Sequence, residues 1–417
     1  MSERATVFQS TQIGVETVPG TAVDADRRLN ASGFNPVPQT ALTPFRPMGS
    51  KFNTVDVRGK EHTELDLTGV LSYNDLLYHL AGCLCEPVTD QPTQNGVWTL
   101  DFDLPATGQI TLEFESEETD PIDATASAAV VQAALVALST VGAGNVVVTG
   151  TSGLYTVTFQ NVLEQTASEL SFGMEGFTTY PTLDSTAAVD AFRHVFTPQN
   201  YGPDTIKTYT VEVGSSAGAE RTTYGILDGL ELALSADSAA VSGNMIAQEL
   251  EEGITLTADP TYIDEQPVDP RDIRVMLGDS IPGMAKLDRC QSANFSVSDR
   301  FSAQMTLDDE EASFTAHVER GPSVTAEFIV MHNADSADLM TDLRAKTRKY
   351  ARIQARGPEI ETGFNRMIQI TFPCTLISSD RGDQNDVYAS TYGSDIKYDQ
   401  VLEKAVEIVI WNDLATL

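Results

Sequence analysis

The sequence predicts a mainly β, α+β fold: two tandem β-sandwich, barrel-like modules, each with one flanking helix, and a small inserted β-α-β-β domain. Three observations carry that prediction. Strand-like segments dominate the chain, and helices do not alternate with strands as they do in a doubly wound fold. A strand then runs straight into a capped helix at residues 63–82. There Leu65 and Leu67 alternate with Glu64, Asp66 and Thr68, Ser72 opens an S-x-x-D cap with Asp75, and Leu76, Leu77 and Leu80 follow at helical spacing. The same unit recurs at residues 325–349, with Phe328 to Met331 as strand, Asp335 as cap, Asp338 as first-turn acid, and Leu339 and Leu343 as docking face. Ser72 and Asp335 are spaced as Leu76 and Leu339 are, so the units align without a gap, as a duplication would leave them.

Taken in order, residues 1–50 are rich in breakers (Gly14, Pro19, Gly20, Gly33, Pro36, Pro38, Pro44, Pro47) and suggest an extended N-terminal arm. Residues 51–58 and 62–70 suggest two strands joined by a turn near Gly59, then a helix at 76–81. The first module spans 51–96 and resumes at 178–259, interrupted by an insert at 97–177. Within the insert, residues 109–114 alternate as a strand. Val131, Ala134, Leu135 and Leu138 share one face of a helix at 127–138, and residues 145–149 and 154–159 form a hairpin. The host continues with strands at 208–213, 224–234 and 241–250. A Pro/Asp-rich connector at 260–270 divides the halves, and the second module fills 260–417. Its last strand, 405–411, follows a long polar loop at 378–404. A fainter echo sets Asp237 against Asp380.

Composition bounds function. The length, 417 residues, suggests two or three domains, and 41% hydrophobic content supports globular folding. No apolar run approaches ~18 residues, so no membrane span is expected, and the N-terminus lacks the features of a secretory signal. Four cysteines are too few for a disulfide scaffold and are expected to stay reduced. Sixty acids against 26 bases give a net charge of −34. That argues against a protein that grips phosphates, and fits either plain solubility or a surface that stays near DNA without adhering.

Chemical motifs are sparse. Ser216 occupies the nucleophile position of a G-x-S-x-G match, but strand-like segments flank it where the motif needs a strand-to-helix elbow, so a hairpin tip is expected. The five histidines make no metal-binding pair, and Cys83 and Cys85 lack a second ligand pair. The acid run from Asp308 to Glu311 lacks a Ca²⁺-loop pattern, and Arg381-Gly-Asp383 is a three-residue match of the kind chance supplies. No phosphate loop or dinucleotide fingerprint occurs, so neither a cofactor nor an enzyme is expected.

The opening QIGVETVPGTAVDADRRL resembles the N-terminal arm of the major tail tube proteins of long-tailed, siphovirus-type bacteriophages. The order that follows, from GSKFNTVDVRGKEHTELDLTGVLSYNDLLYHLAG through YTVEVG to GLELALSADSAAVSGNMIA, is similar to that family too. The stretch from SVSDRF to EIVIWN looks like the module again, and SAAVVQAALVAL with GAGNVVVTG and YTVTF resembles a small domain of phage virion proteins. The resemblance implies a structural protein forming stacked rings of a non-contractile tail tube. It implies contacts through residues 1–50 and 378–404, and an acidic lumen that passes the tape-measure protein and then DNA. Tail terminator and distal-tail proteins would be further partners, and the protein would be assembled in the host cytoplasm and reside in the virion. With two modules per chain, a homotrimer ring with pseudo-hexameric symmetry is expected. If Leu65, Leu67 and Phe328 face the core, then Glu64, Asp66 and Glu327 face away, toward either the lumen or the outer solvent. The other readings are a distal-tail or minor tail protein forming a single ring, and a β-rich hydrolase using Ser216.

Overall fold

The computed structural model describes residues 9–417 apart from 92, 102–107, 116, 124, 152, 160–169, 176–181, 189–190, 216, 332–333, 362–363 and 385–386. Strand accounts for 57% of the chain against 9% helix, in a large curled sheet with few helices, so the fold is mainly β. The first half contributes β1 (Ser10–Val15), β2 (Ser32–Phe45), β3 (Val55–Val70) and α1 (Asp75–Cys83). An inserted domain follows: β4 (Thr93–Asp101), β5 (Gln109–Phe114), α2 (Ala128–Ala137), β6 (Val146–Thr151), β7 (Leu154–Phe159), β8 (Leu170–Glu175) and β9 (Thr182–Ala188). The half then resumes with β10 (Phe192–Phe196), β11 (Tyr209–Ser215), β12 (Gly218–Ser235), β13 (Ala239–Ala247) and β14 (Glu251–Ile254). The second half runs through β15 (Ile273–Gly278), β16 (Cys290–Ser298), β17 (Phe301–Gln304), β18 (Ala316–Glu319), β19 (Ser323–Met331) and α3 (Ala334–Ala345). It ends with β20 (Arg348–Glu361), β21 (Phe364–Gln384), β22 (Val387–Ile396) and β23 (Glu407–Asn412).

The two halves share one wiring. In the first, strands pair in the order β1–β11–β12–β13–β3–β2, with β14 also on β12. In the second the order is β15–β20–β21–β22–β19–β16, with β23 also on β21. Each of these seven strands has its counterpart at the same point in the chain order, and the pairings just given are all antiparallel. The helices agree as well: α1 packs on β12 and α3 on β21, and each follows its own counterpart strand, β3 or β19. Both β12 and β21 bulge midway, at Leu227/Gly229 and at Leu376/Ser378. The bulges register Gly229 with Ser378, so the Asp237–Asp380 echo is not a structural equivalence. The halves join where β12 pairs with β16, from Leu230 opposite Val297 to Ser235 opposite Ser292, and where β10 pairs with β23, from Phe192 opposite Asn412 to Phe196 opposite Ile408. Leu230, Leu232, Leu234, Ala293, Phe295 and Val297 are buried along that joint, and one apolar core runs through both halves, from Leu65 and Leu67 to Phe328 and Phe372.

Alternation shapes β3 as expected, with Leu65 and Leu67 buried and Glu64 and Asp66 exposed. Asn74 rather than Ser72 is the N-cap of α1, without a side-chain cap, and the Ser72 hydroxyl accepts the Asn74 N–H at 3.3 Å in the turn that enters the helix. All nine residues of α1 are buried. The approach to the sheet is close at Gly82, where a Cβ would stand 2.7 Å from the Tyr209 ring and 2.9 Å from Leu227.

Several expectations are corrected. Residues 10–15 and 32–45 are not an extended arm: β1 and β2 belong to the sheet, and Ile13, Leu29 and Phe34 are buried. The prolines that suggested an arm sit on an edge. The Phe34 N–H points away from β3 to the Thr11 hydroxyl at 3.4 Å, so positions 36 and 38, on the same side, lose no ladder bond by being proline. Residues 51–58 and 62–70 are not two strands, since β3 passes through Gly59 unbroken and the turn lies between β2 and β3. The stretch 378–404 is not a loop for most of its length: β21 and β22 form a hairpin there, whose polar residues reflect exposed faces. The inserted domain is wider than 97–177, because β4 and β9 pair with Leu100 opposite Leu183. Its two sheets, β6–β7–β4–β9 and β8–β5, enclose a separate core containing Leu100, Phe114, Val131, Leu135, Tyr155 and Phe159. Asp335 lies within α3 rather than before it.

Candidate functional site

The feature that stands out is the solvent face of the joined sheet. Eight strands, in the order β2–β3–β13–β12–β16–β19–β22–β21, run side by side across both halves. At ~4.8 Å per strand that is a ribbon about 34 Å wide. Because side chains alternate, the face opposite the core is set by every second residue. One in-register row reads Gly33, Thr68, Ser242, Glu231, Ser296, Thr325, Asp395, Thr375. The next reads Val70, Ala240, Ala233, Asn294, Glu327, Gly393, Ser378. Asp66 lies beside Asn244 and Asn35, and Glu64 beside Val37. None of these positions is a lysine or arginine.

The three acids named from the sequence lie on this face. Glu64, Asp66 and Glu327 are exposed, the first two on β3 and the third on its counterpart β19. Glu64 accepts a hydrogen bond from the Gln39 amide at 3.3 Å and lies 3.8 Å from the His62 imidazole. Glu231 is a fourth exposed acid on the face, and Asp395 a fifth, paired with Lys397 beyond the strand end. Sequence reasoning missed both, though Glu231 sits in the alternating stretch Leu230-Glu-Leu-Ala-Leu234. Between the acids the face is hydroxyl-rich, with Ser296 and Thr325 in hydrogen-bond contact at 2.9 Å.

The other clusters are internal. Asp75, expected as a first-turn acid and found there, is buried and accepts the N–H groups of Ala31 and Ser32 at 3.0 and 3.1 Å, along with the Ser32 hydroxyl at 3.1 Å. His79, one turn along the same helix face, contacts that hydroxyl through Nε2 at 2.9 Å. Burial raises Asp75 above the usual carboxylate range and lowers His79 to about 3. The residue types are those of a hydrolase triad, but here the serine stands between the acid and the imidazole, so the histidine has no acid orienting it as a base. The group pins α1 to β2. Arg300, in the turn between β16 and β17, is also buried. It donates to the carbonyls of Cys83 and Leu84 at 3.1 and 2.8 Å and pairs with Asp204 and Glu319. It thereby caps the C-terminus of α1 from the other half of the chain.

Ser216 lies outside the described residues. Its neighbours pair across a hairpin, Gly214 with Ala219 and Ser215 with Gly218, and no helix follows. Cys83 and Cys85 are free, buried thiols pushed up to about 12. Among the described residues no group of three metal-ligand side chains converges, and no helix is long and apolar enough to cross a membrane. The acids from Asp308 to Glu311 are exposed, and Asp308 accepts the Glu310 N–H at 3.0 Å. Arg381 and Asp383 belong to β21, opposite Ser390 and Tyr388.

No protein-family pattern and no curated protein matches the chain. Among solved structures, a chain from Mycobacterium phage Patience is similar to it at 15% identity. The match covers 62% of this chain and 95% of that one, with a TM-score of 0.19, too low for the likeness to assign a shared fold.

Proposed function

We propose that this chain is the repeating unit of a tube: a structural protein of a phage virion that forms stacked rings of a non-contractile tail tube, three copies to a ring. The repeated wiring carries this reading. A chain that already holds two like modules joined edge to edge contains one sample of the joint a ring needs, and six modules come from three copies. The acid and hydroxyl face supports it from a second side. A wall bearing Glu64, Asp66, Glu231 and Glu327, with no lysine or arginine among its in-register positions, offers nucleic-acid phosphates no cationic grip there. In this reading the face lines the lumen, the tape-measure protein and then DNA travel along it, and tail terminator and distal-tail proteins close the ends.

Electron microscopy of the purified chain tests the proposal. The expected result is long tubes with three chains in each ring. Six identical chains per ring would refute the trimer, and single rings that never stack would point instead to a distal-tail or minor tail protein. Discrete monomers carrying esterase activity that is lost in Ser216→Ala would favour a hydrolase.

A further inference from the structure

The inserted domain distributes its charge unlike the rest of the chain. Residues 93–188 hold twelve Asp and Glu and no Lys, Arg or His. Six of those acids fall between positions 113 and 123, at and just after β5. The forty residues from 124 to 163 then contain no Asp, Glu, Lys, Arg or His, in a chain that is 21% charged. That stretch builds α2, β6 and β7.

Burial explains only half of it. On β6 and β7, Val146, Val148, Tyr155 and Val157 turn to the core, and the positions between them reach solvent. Strand pairing sets these side by side: Thr149 opposite Thr156 and Thr156 opposite Thr99, with Val147 opposite Thr158 in the next row and Thr151 opposite Leu154 in the last. Val147 and Leu154 are 37% and 48% exposed, and Asp101 of β4 stands beside Leu154 at the rim. Among the described residues no hydrogen bond engages the hydroxyls of Thr99, Thr149, Thr156 and Thr158. Strand propensity favours threonine on any exposed face but does not remove charge, and the outer face of β5 in the same domain does carry Glu113.

An exposed sheet ordinarily bears charge for solubility. Its absence marks a face that is covered in use, because a charge buried without a partner is costly and interface centres are depleted of charge. Three properties select what covers it. The acids of the domain, with no base to offset them, repel an anionic polymer. The rows extend about 14 Å along the strands and about 10 Å across them, a patch well short of the ~800 Å² that each partner gives a stable protein interface. No aromatic or arginine anchor stands in them either. A thin, uncharged chain rich in hydrogen-bonding groups fits all three.

We propose that the β6–β7–β4 face binds a neutral polysaccharide. Its hydroxyls exchange hydrogen bonds with Thr99, Thr149, Thr156 and Thr158, and its apolar ring faces lie against Val147, Leu154 and the threonine methyls. One such contact is weak, and copies held together on one particle bind the same polymer with multiplied strength. A single chain binds too, so the site stands apart from the tube reading.

Affinity electrophoresis of the full chain tests it. Native gels cast with dextran, mannan or galactan are compared with gels without polymer and with gels cast with acidic polygalacturonate. At least one neutral polymer should retard the chain, and polygalacturonate should not. Thr149→Glu with Thr156→Glu should weaken the retardation roughly tenfold, because the carboxylates lose water without gaining a partner. Leu154→Asp, at the rim, should act in the same direction, and Thr111→Glu on β5 should have no effect, all three with an unchanged circular dichroism spectrum. A chain that no neutral polymer retards overturns the proposal, as does retardation that both face variants leave intact. Self-association lost in the face variants, without polymer binding, would assign the face to a second copy instead. Retardation of dispersed chains that never form tubes would uphold this site while the tube reading fell.

Discussion

The two helices α1 and α3 begin as the same sentence in the sequence and end in different surroundings. Each follows its counterpart strand and packs on a counterpart strand, yet α1 is buried along its whole length while α3 keeps a solvent side. The difference lies in what the rest of the chain brings to each. The segment 260–270 and Arg300 both reach α1 from beyond its own half, and nothing comparable reaches α3 among the described residues. A local pattern thus fixes the helix and its docking face, and neighbours decide whether the remainder must be apolar.

Mutation can sharpen this contrast. The largest effect is expected at Arg300. Arg300→Met leaves Asp204, 2% exposed, as an uncompensated buried charge, which should lower unfolding free energy by about 3–5 kcal/mol in urea titrations. Arg344→Met on α3 should change it by less than about 0.5 kcal/mol. Next, Leu77→Ala in α1 removes a fully buried side chain and should cost about 2–5 kcal/mol, and Leu343→Ala, only partly buried in α3, should cost clearly less. Equal losses would break the comparison.

A third difference is acid sensitivity. Burial holds His79 at about 3, against 6.5 for a free imidazole, so between those values the unfolded chain binds the proton and the folded chain does not. Its contribution is complete above pH 6.5 and falls as pH drops toward 3, by up to about 1.4 kcal/mol per pH unit. His79→Gln should flatten that slope in denaturation curves recorded at successive pH values. Asp75 has the opposite sign, since its raised carboxyl favours the folded state as pH falls. The smallest effect on stability is expected on the exposed face. Glu64→Lys with Asp66→Lys should change it by less than about 0.5 kcal/mol while slowing DNA passage in assembled particles. Unimpeded ejection from intact tubes would count against the proposed lumenal position of these acids.

The sequence disclosed the parts whose physics is local. Period-two alternation placed Leu65 and Leu67 inside and Glu64, Asp66 and Glu327 outside, and the strand–helix pattern with its leucines marked the repeat, although neither Ser72 nor Asp335 stands at the N-cap. It concealed what depends on distant pairing. Pro36 and Pro38 look like breakers until one knows that their missing N–H groups would point away from the ladder. Residues 378–396 look like a loop because exposed strands carry few apolar side chains. Asp395 was hidden by that same misreading. The Ser32–Asp75–His79 pin left a faint trace, an acid and a histidine one turn apart on a helix otherwise apolar there, but its third member comes from a strand far back in the chain.

The pairing of β4 with β9 brings the entrance and exit of the inserted domain side by side. The host therefore experiences that whole domain as a short hairpin loop, with its own core and little claim on the main sheet. Such an attachment is a socket. A foreign domain whose ends lie equally close could be grafted between Thr93 and Ala188 at little entropic cost to the host, so this position is where a cargo can be displayed without disturbing the sheet.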